Sequence, residues 1–141
     1  MKRRQMLAAS PLLASSAYAA ADPAHAPLVA TALDYIEGWY SGDAARMERA
    51  LHPDLAKRVL KRLPDGRRRV EHIGALGLVQ ATRSRAGQQP EAARREVKVL
   101  DVFRGAASLR VDAEQWIDYL QLSETEPGRW QIVNVLWEPR A

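Results

Sequence analysis

The sequence predicts an α+β domain in which N-terminal helices pack on one face of a curved antiparallel sheet. Three observations carry the prediction. From residue 28 to residue 51, apolar positions return at spacings of three and four, the period of a helix face. From residue 96 onward they alternate among β-branched and aromatic residues, the period of a strand. The last two such runs, Trp116–Leu122 and Gly128–Trp137, flank a polar turn, Glu124-Thr125-Glu126-Pro127-Gly128, and form a β-hairpin holding three of the four Trp.

The elements follow in order from local signals. Leu28, Val29, Ala32, Leu33, Ile36, Trp39 and Tyr40 mark an amphipathic helix to about Ser41, with Gly42 as its C-terminal cap. Asp43 is an N-cap for a second helix carrying Ala44, Met47, Ala50 and Leu51. His52-Pro53 ends it, because Pro53 excludes His52 from the helical region, and Asp54 caps a further helical turn through Leu55 and Val59. Lys61–Leu63 and Arg67–Val70 read as short extended pieces about a tight Pro64-Asp65-Gly66 turn. Gly74–Ala86 reads as a third helix with Leu76, Val79 and Ala86 on one face, broken by Gly87-Gln88-Gln89-Pro90. Glu96–Phe103 and a strand holding Ala107, Leu109 and Val111 then lead into the hairpin.

Strict alternation in the last strand puts Trp130, Ile132, Asn134 and Leu136 on one face and Gln131, Val133, Val135 and Trp137 on the other. Both faces are largely apolar, so cover is expected on each: the helices on one, a second subunit, and hence a homodimer, on the other.

At 141 residues, 47% apolar and 27% charged, the chain has the composition of one globular domain. Residues 1–19 read as a signal peptide, with Lys2-Arg3-Arg4 as its basic start, a short apolar core and Ala17-Tyr18-Ala19 as the cleavage site. Arg3-Arg4-Gln5-Met6-Leu7 fits a twin-arginine signal as well as a general one. Residues 20–27 are expected to be a flexible mature start and residues 28–141 the single domain. Removing the leader lowers the net charge from +4 to +1, which leaves little case for a nucleic-acid partner, and its apolar core is too short for stable membrane insertion. The expected location is the periplasm, or outside a bacterial cell. There is no Cys, and the three His show no paired ligand spacing, so neither a metal site nor another cofactor is implied.

Three blocks resemble one family: Ala32-Leu33-Asp34-Tyr35-Ile36-Glu37-Gly38-Trp39-Tyr40-Ser41-Gly42-Asp43, Leu51-His52-Pro53-Asp54-Leu55-Ala56-Lys57-Arg58, and Asp118–Leu122 with Gly128–Trp137. They are similar to the putative lumazine-binding family of the nuclear-transport-factor-2-like, or SnoaL-like, superfamily. The resemblance implies a cone-shaped fold whose strongly bent sheet wraps a long helix, and a pocket between helices and sheet. Its relatives include ketosteroid isomerases, scytalone dehydratases, polyketide cyclases and limonene epoxide hydrolases beside members that only bind or assemble, so fold does not name a reaction.

The candidate chemistry is concentrated in few residues. Asp118 lies between Trp116 and Leu120 on one strand face; desolvated there it would suit a general base, and the competing reading is a hydrogen-bonded structural carboxylate. His52, held by Pro53, is a candidate proton shuttle or a helix-end cap. Tyr35 and Trp39 share a helix face, where Tyr35 would donate to a developing oxyanion or simply pack in the core. Tyr35, Trp39, Trp116, Asn134 and Trp137 are the candidate ligand-binding set, suited to an apolar or aromatic molecule such as a pterin, flavin-like or polyketide compound. The expected function is an exported small-molecule-binding protein. The alternatives are an isomerase-, dehydratase- or cyclase-type enzyme using Asp118, His52 and Tyr35, and a non-catalytic dimerisation module.

Overall fold

The computed structural model describes residues 22–87 and 93–141. The predicted leader and most of the break at Gly87–Pro90 lie outside these residues. The described part of the segment expected to be flexible begins the helical region: the Asp22 carboxylate accepts a hydrogen bond from the Ala24 amide at 2.9 Å, and Pro23 opens a 3-10 turn, Pro23–His25. That turn runs into α1 (Ala26–Ser41), which buries Leu28, Ala32, Tyr35, Ile36 and Tyr40. Gly42 closes α1 in the left-handed region at φ 68°, as its place after the last apolar residue predicts. Its neighbourhood is also too tight for a side chain, since a Cβ would lie 2.3 Å from the carbonyl carbon of Arg85.

Asp43 caps α2 (Ala44–Ala50) by accepting from the Arg46 amide at 3.1 Å. Asp34 on α1 accepts from Arg46 at 3.0 Å and from Arg49 at 2.8 Å, clamping the two helices together. The Arg49 hydrogen bond, with that of Arg46 behind it, holds the Asp34 carboxyl below the usual carboxylate range despite partial burial.

After α2 the chain departs from expectation. Leu51–Arg62 is one long strand, β1, where a further helical turn through Leu55 and Val59 was expected. Leu55 and Val59 are four apart, and that spacing fits a helix face and one face of a strand equally well. Tertiary pairing decides between them: β1 runs antiparallel to β2 (Arg68–Gly74) and parallel to β6 (Arg129–Pro139). The pairing with β6 jumps from Leu51 opposite Ile132 to Ala56 opposite Asn134, and the interrupted stretch contains Pro53, which has no N–H to give to a ladder.

The remaining elements are α3 (Ala75–Arg83), β3 (Arg95–Phe103), β4 (Ala106–Ala113) and β5 (Trp116–Glu126). α3 buries Leu78, Val79 and Thr82, whereas Leu76, expected on the inner face, is exposed. The six strands lie in the order β2-β1-β6-β5-β4-β3, with β1 and β6 the parallel pair in an otherwise antiparallel sheet. Single extra residues bend it. Gln121 faces Asn134 while Leu122 faces Ile132, so Val133 bulges from β6; likewise Leu100 bulges from β3 between Val99 and Asp101. The core fills the concave side with Leu109 and Val111 of β4, Leu120 and Leu122 of β5, and Ile132 and Val135 of β6 against α1 and α2. Thr31 of α1 donates to the Trp130 carbonyl at 3.0 Å and ties the long helix to the last strand. The architecture is the cone: helices inside a strongly curved, mostly antiparallel sheet.

Candidate functional site

The bulge at Val133 determines what the last strand offers to the interior. Beyond it the alternation inverts, so Val135 and Trp137 join Trp130 and Ile132 on the concave side, opposite Leu120 and Asp118 of β5. Asn134 is turned outward instead, where its side-chain amide donates to Gln121 at 3.1 Å. On β1 the alternation Leu55, Lys57, Val59 aims a lysine inward between two buried aliphatics. α1 lays Tyr35 across the same region.

These elements enclose a cavity of about 490 Å³. Its walls come from Ile36 and Trp39 of α1, Met47 of α2, Leu78 of α3, Val59 of β1, and Trp116 and Trp137 of β5 and β6, with Glu71 and Ile73 contributed by the edge strand β2. The wall is predominantly apolar; Tyr35 and Lys57 supply the polar groups of its floor, and Glu71 and His72 those of its β2 edge.

Lys57 is the centre of that floor. Its ammonium donates to the Tyr35 hydroxyl and, at 3.4 Å, to Asp118 Oδ1. It also lies 5.1 Å from the centroid of the Tyr35 ring and 5.4 Å from that of Trp137, both within cation–π range. Asp118 accepts a second hydrogen bond at Oδ2 from the Trp116 indole, 2.6 Å away. The carboxylate is 0% exposed and its positive partner 14%, so the ion pair is withdrawn from water and the lysine is the member that reaches the cavity. Burial raises the Tyr35 hydroxyl pKa well above its ordinary value, and the Asp118 charge and hydrogen bond push it the same way; Tyr35 is therefore neutral at physiological pH. Among the described residues, no buried side-chain nitrogen or oxygen lacks a hydrogen-bond partner.

The structure brings together Tyr35, Trp39, Trp116, Asp118 and Trp137, and separates His52 and Asn134 from them. His52 sits at the start of β1 away from the cavity wall, its Nδ1 accepting from the Asp54 amide at 3.0 Å, so the ring folds back on its own backbone. Asn134 faces outward because of the Val133 bulge, which alternation alone cannot register. Asp118 shares a face with Trp116 as expected, yet its surroundings are not simply apolar, since Lys57 offsets its charge from two strands away.

Lys57 is the cavity residue that sequence reasoning missed. The signal was a lysine midway between Leu55 and Val59, and it carries meaning only once those residues are placed on a strand. His72 is on β2 at the rim, and Glu71 beside it is ion-paired with Arg69 at 2.7 Å and Lys61 at 3.9 Å. No group of three or more His, Cys, Asp or Glu is placed to hold a metal ion among the described residues.

With this geometry in view, comparisons with known proteins give a consistent result. A nuclear-transport-factor-2-like protein of unknown function from Shewanella baltica OS155 superposes with a TM-score of 0.69 at 19% identity, covering 82% of this chain and 92% of that one. A similar protein from Methylobacillus flagellatus KT gives 0.64 at 20% identity, over 82% and 90% of the two chains. A ketosteroid isomerase-like protein from Erwinia carotovora atroseptica SCRI1043 gives 0.59 at 15% identity, over 85% and 98%. At these identities the likeness speaks for the fold alone. No curated protein matches the sequence significantly. The family model described as putative lumazine-binding matches residues 24–138, nearly the whole domain, and the chain belongs to that family, with a nuclear-transport-factor-2-like fold.

Proposed function

We propose that this protein binds a small, flat, apolar or aromatic molecule in the cone and performs no chemistry on it. One observation carries the reading: a cavity of about 490 Å³ is walled by three Trp, while Asp118, the carboxylate best suited to proton transfer, is sealed beneath the floor with both oxygens engaged. The volume is that of a small-ligand site. The family description names lumazine, a flat bicyclic ring system of a size the cavity admits. A general base must come within hydrogen-bond reach of the proton it removes, and Asp118 has Lys57 and Trp116 in the way. The isomerase-, dehydratase- or cyclase-type reading is therefore the weaker one, and the open cavity argues against a role in dimerisation alone.

Two further parts of the proposal rest on other features. Export to the periplasm or beyond is supported by the basic start, apolar core and Ala-Tyr-Ala site of residues 1–19. A homodimer through the convex face of the sheet is supported by Leu100, Tyr119 and Leu136, which are 52%, 44% and 58% exposed around a second hollow on that face.

The test uses the Trp residues of the cavity as reporters. Titration with lumazine and with flat bicyclic aromatic probes is expected to change intrinsic fluorescence saturably, and Trp137→Ala to weaken the response. No saturable change with any flat probe would overturn the binding reading, and turnover of a bound probe would restore the enzymatic one.

A further inference from the structure

Resting on the binding reading, we infer that Lys57 is the ligand-recognition residue of the cavity and that it selects a neutral molecule bearing a carbonyl oxygen. The ammonium has three protons; the hydrogen bonds to Tyr35 and Asp118 employ two of them, and the residue lines the cavity between the Tyr35 and Trp137 rings. Among the described residues the third proton meets no acceptor, and it is left for one on whatever lies against those rings.

The charge of that acceptor follows from the surroundings of Lys57. Asp118, fully buried, already offsets the lysine, and Tyr35 stays protonated, so the floor is a strong hydrogen-bond donor with no net charge. Glu71, on the cavity wall from β2, is itself paired with Arg69 and Lys61. A carboxylate reaching that floor would lose its hydration without meeting an uncompensated cation, a far larger cost than a carbonyl incurs. A hydrocarbon of the same shape would gain the ring contacts and leave the donor unused. Asp118 and Trp116 act as positioning residues: the indole holds the carboxylate, and the carboxylate holds the ammonium at the floor.

Three naphthalenes of matched shape read this out: 2-acetylnaphthalene, 2-ethylnaphthalene and 2-naphthoate, each titrated against intrinsic fluorescence and checked by calorimetry. The ketone is expected to bind about tenfold more tightly than the hydrocarbon, and the carboxylate more weakly than both. Equal affinity of ketone and hydrocarbon would remove Lys57 from recognition while leaving the binding function intact. Tighter binding of the carboxylate would mean a cationic floor and would overturn the neutral selection. No binding of any of the three would count against the binding reading itself. The double variant Lys57→Met with Asp118→Asn leaves no buried charge unpaired and is expected to bring the ketone down to the affinity of the hydrocarbon; an unchanged preference in this variant would also overturn the assignment.

Discussion

The two faces of the β5–β6 hairpin are made from neighbouring residues of the same strands, yet they serve different ends. On the concave face, Asp118 opposite Trp137 and Leu120 opposite Val135 are sealed by α1 or open on the cavity, and the charged group there is neutralised by Lys57. On the convex face, Tyr119 opposite Leu136 and Gln121 opposite Asn134 stand in solvent, with apolar surface exposed and the Asn134 amide donating to Gln121. The comparison teaches that burial, rather than residue type, assigns the energetic stakes. The polar Asp118 inside is held from β1 by Lys57 and on β5 by Trp116, while the apolar Leu136 outside is more than half exposed.

The largest expected effect lies inside. Asp118→Ala strands the Lys57 ammonium in a poorly hydrated site and is expected to cost about 3–5 kcal/mol in urea denaturation. A cost within the scatter of surface substitutions would mean that the pair contributes nothing and would erase the contrast between the faces.

Tyr35→Phe sharpens the same contrast through pH. The folded-state pKa of Tyr35 is raised, so its contribution is fully present below about pH 10, where the unfolded chain begins to ionise, and is lost as pH rises through the folded value. At neutral pH the variant is expected to be about 1–2 kcal/mol less stable than the parent, and the difference to shrink in alkaline urea titrations above pH 10. A difference that held constant across that range would place the hydroxyl in water.

The smallest effect on folding is expected outside. Leu136→Lys should leave the monomer fold intact, within about 0.5 kcal/mol, and change only association. Sedimentation equilibrium at micromolar concentration is expected to show the parent at twice the chain mass and the variant at the chain mass. A parent already at the chain mass would end the dimer proposal and leave the convex face without a partner.

Much of the fold was legible because its signals are local. The period of α1, the left-handed cap at Gly42, the N-cap at Asp43 and the turn at Pro127-Gly128 each depend on neighbouring residues, and each stands where the sequence puts it. The site was half legible for a related reason. Tyr35 and Trp39 share a helix face and Trp116 and Asp118 share a strand face, relations written in spacing alone.

What spacing could not hold was the long-range pairing. Leu55 and Val59 suit helix and strand alike until β2 and β6 supply the hydrogen bonds that make β1. Alternation along β6 fails at Val133 because a bulge is a property of two strands in register. By itself, then, the sequence determined the class of fold, most of the element boundaries and the aromatic side chains of the cavity. Only the tertiary structure decided that Lys57 meets Asp118 across β6, because a buried charge finds its partner through the packing of strands distant in the chain.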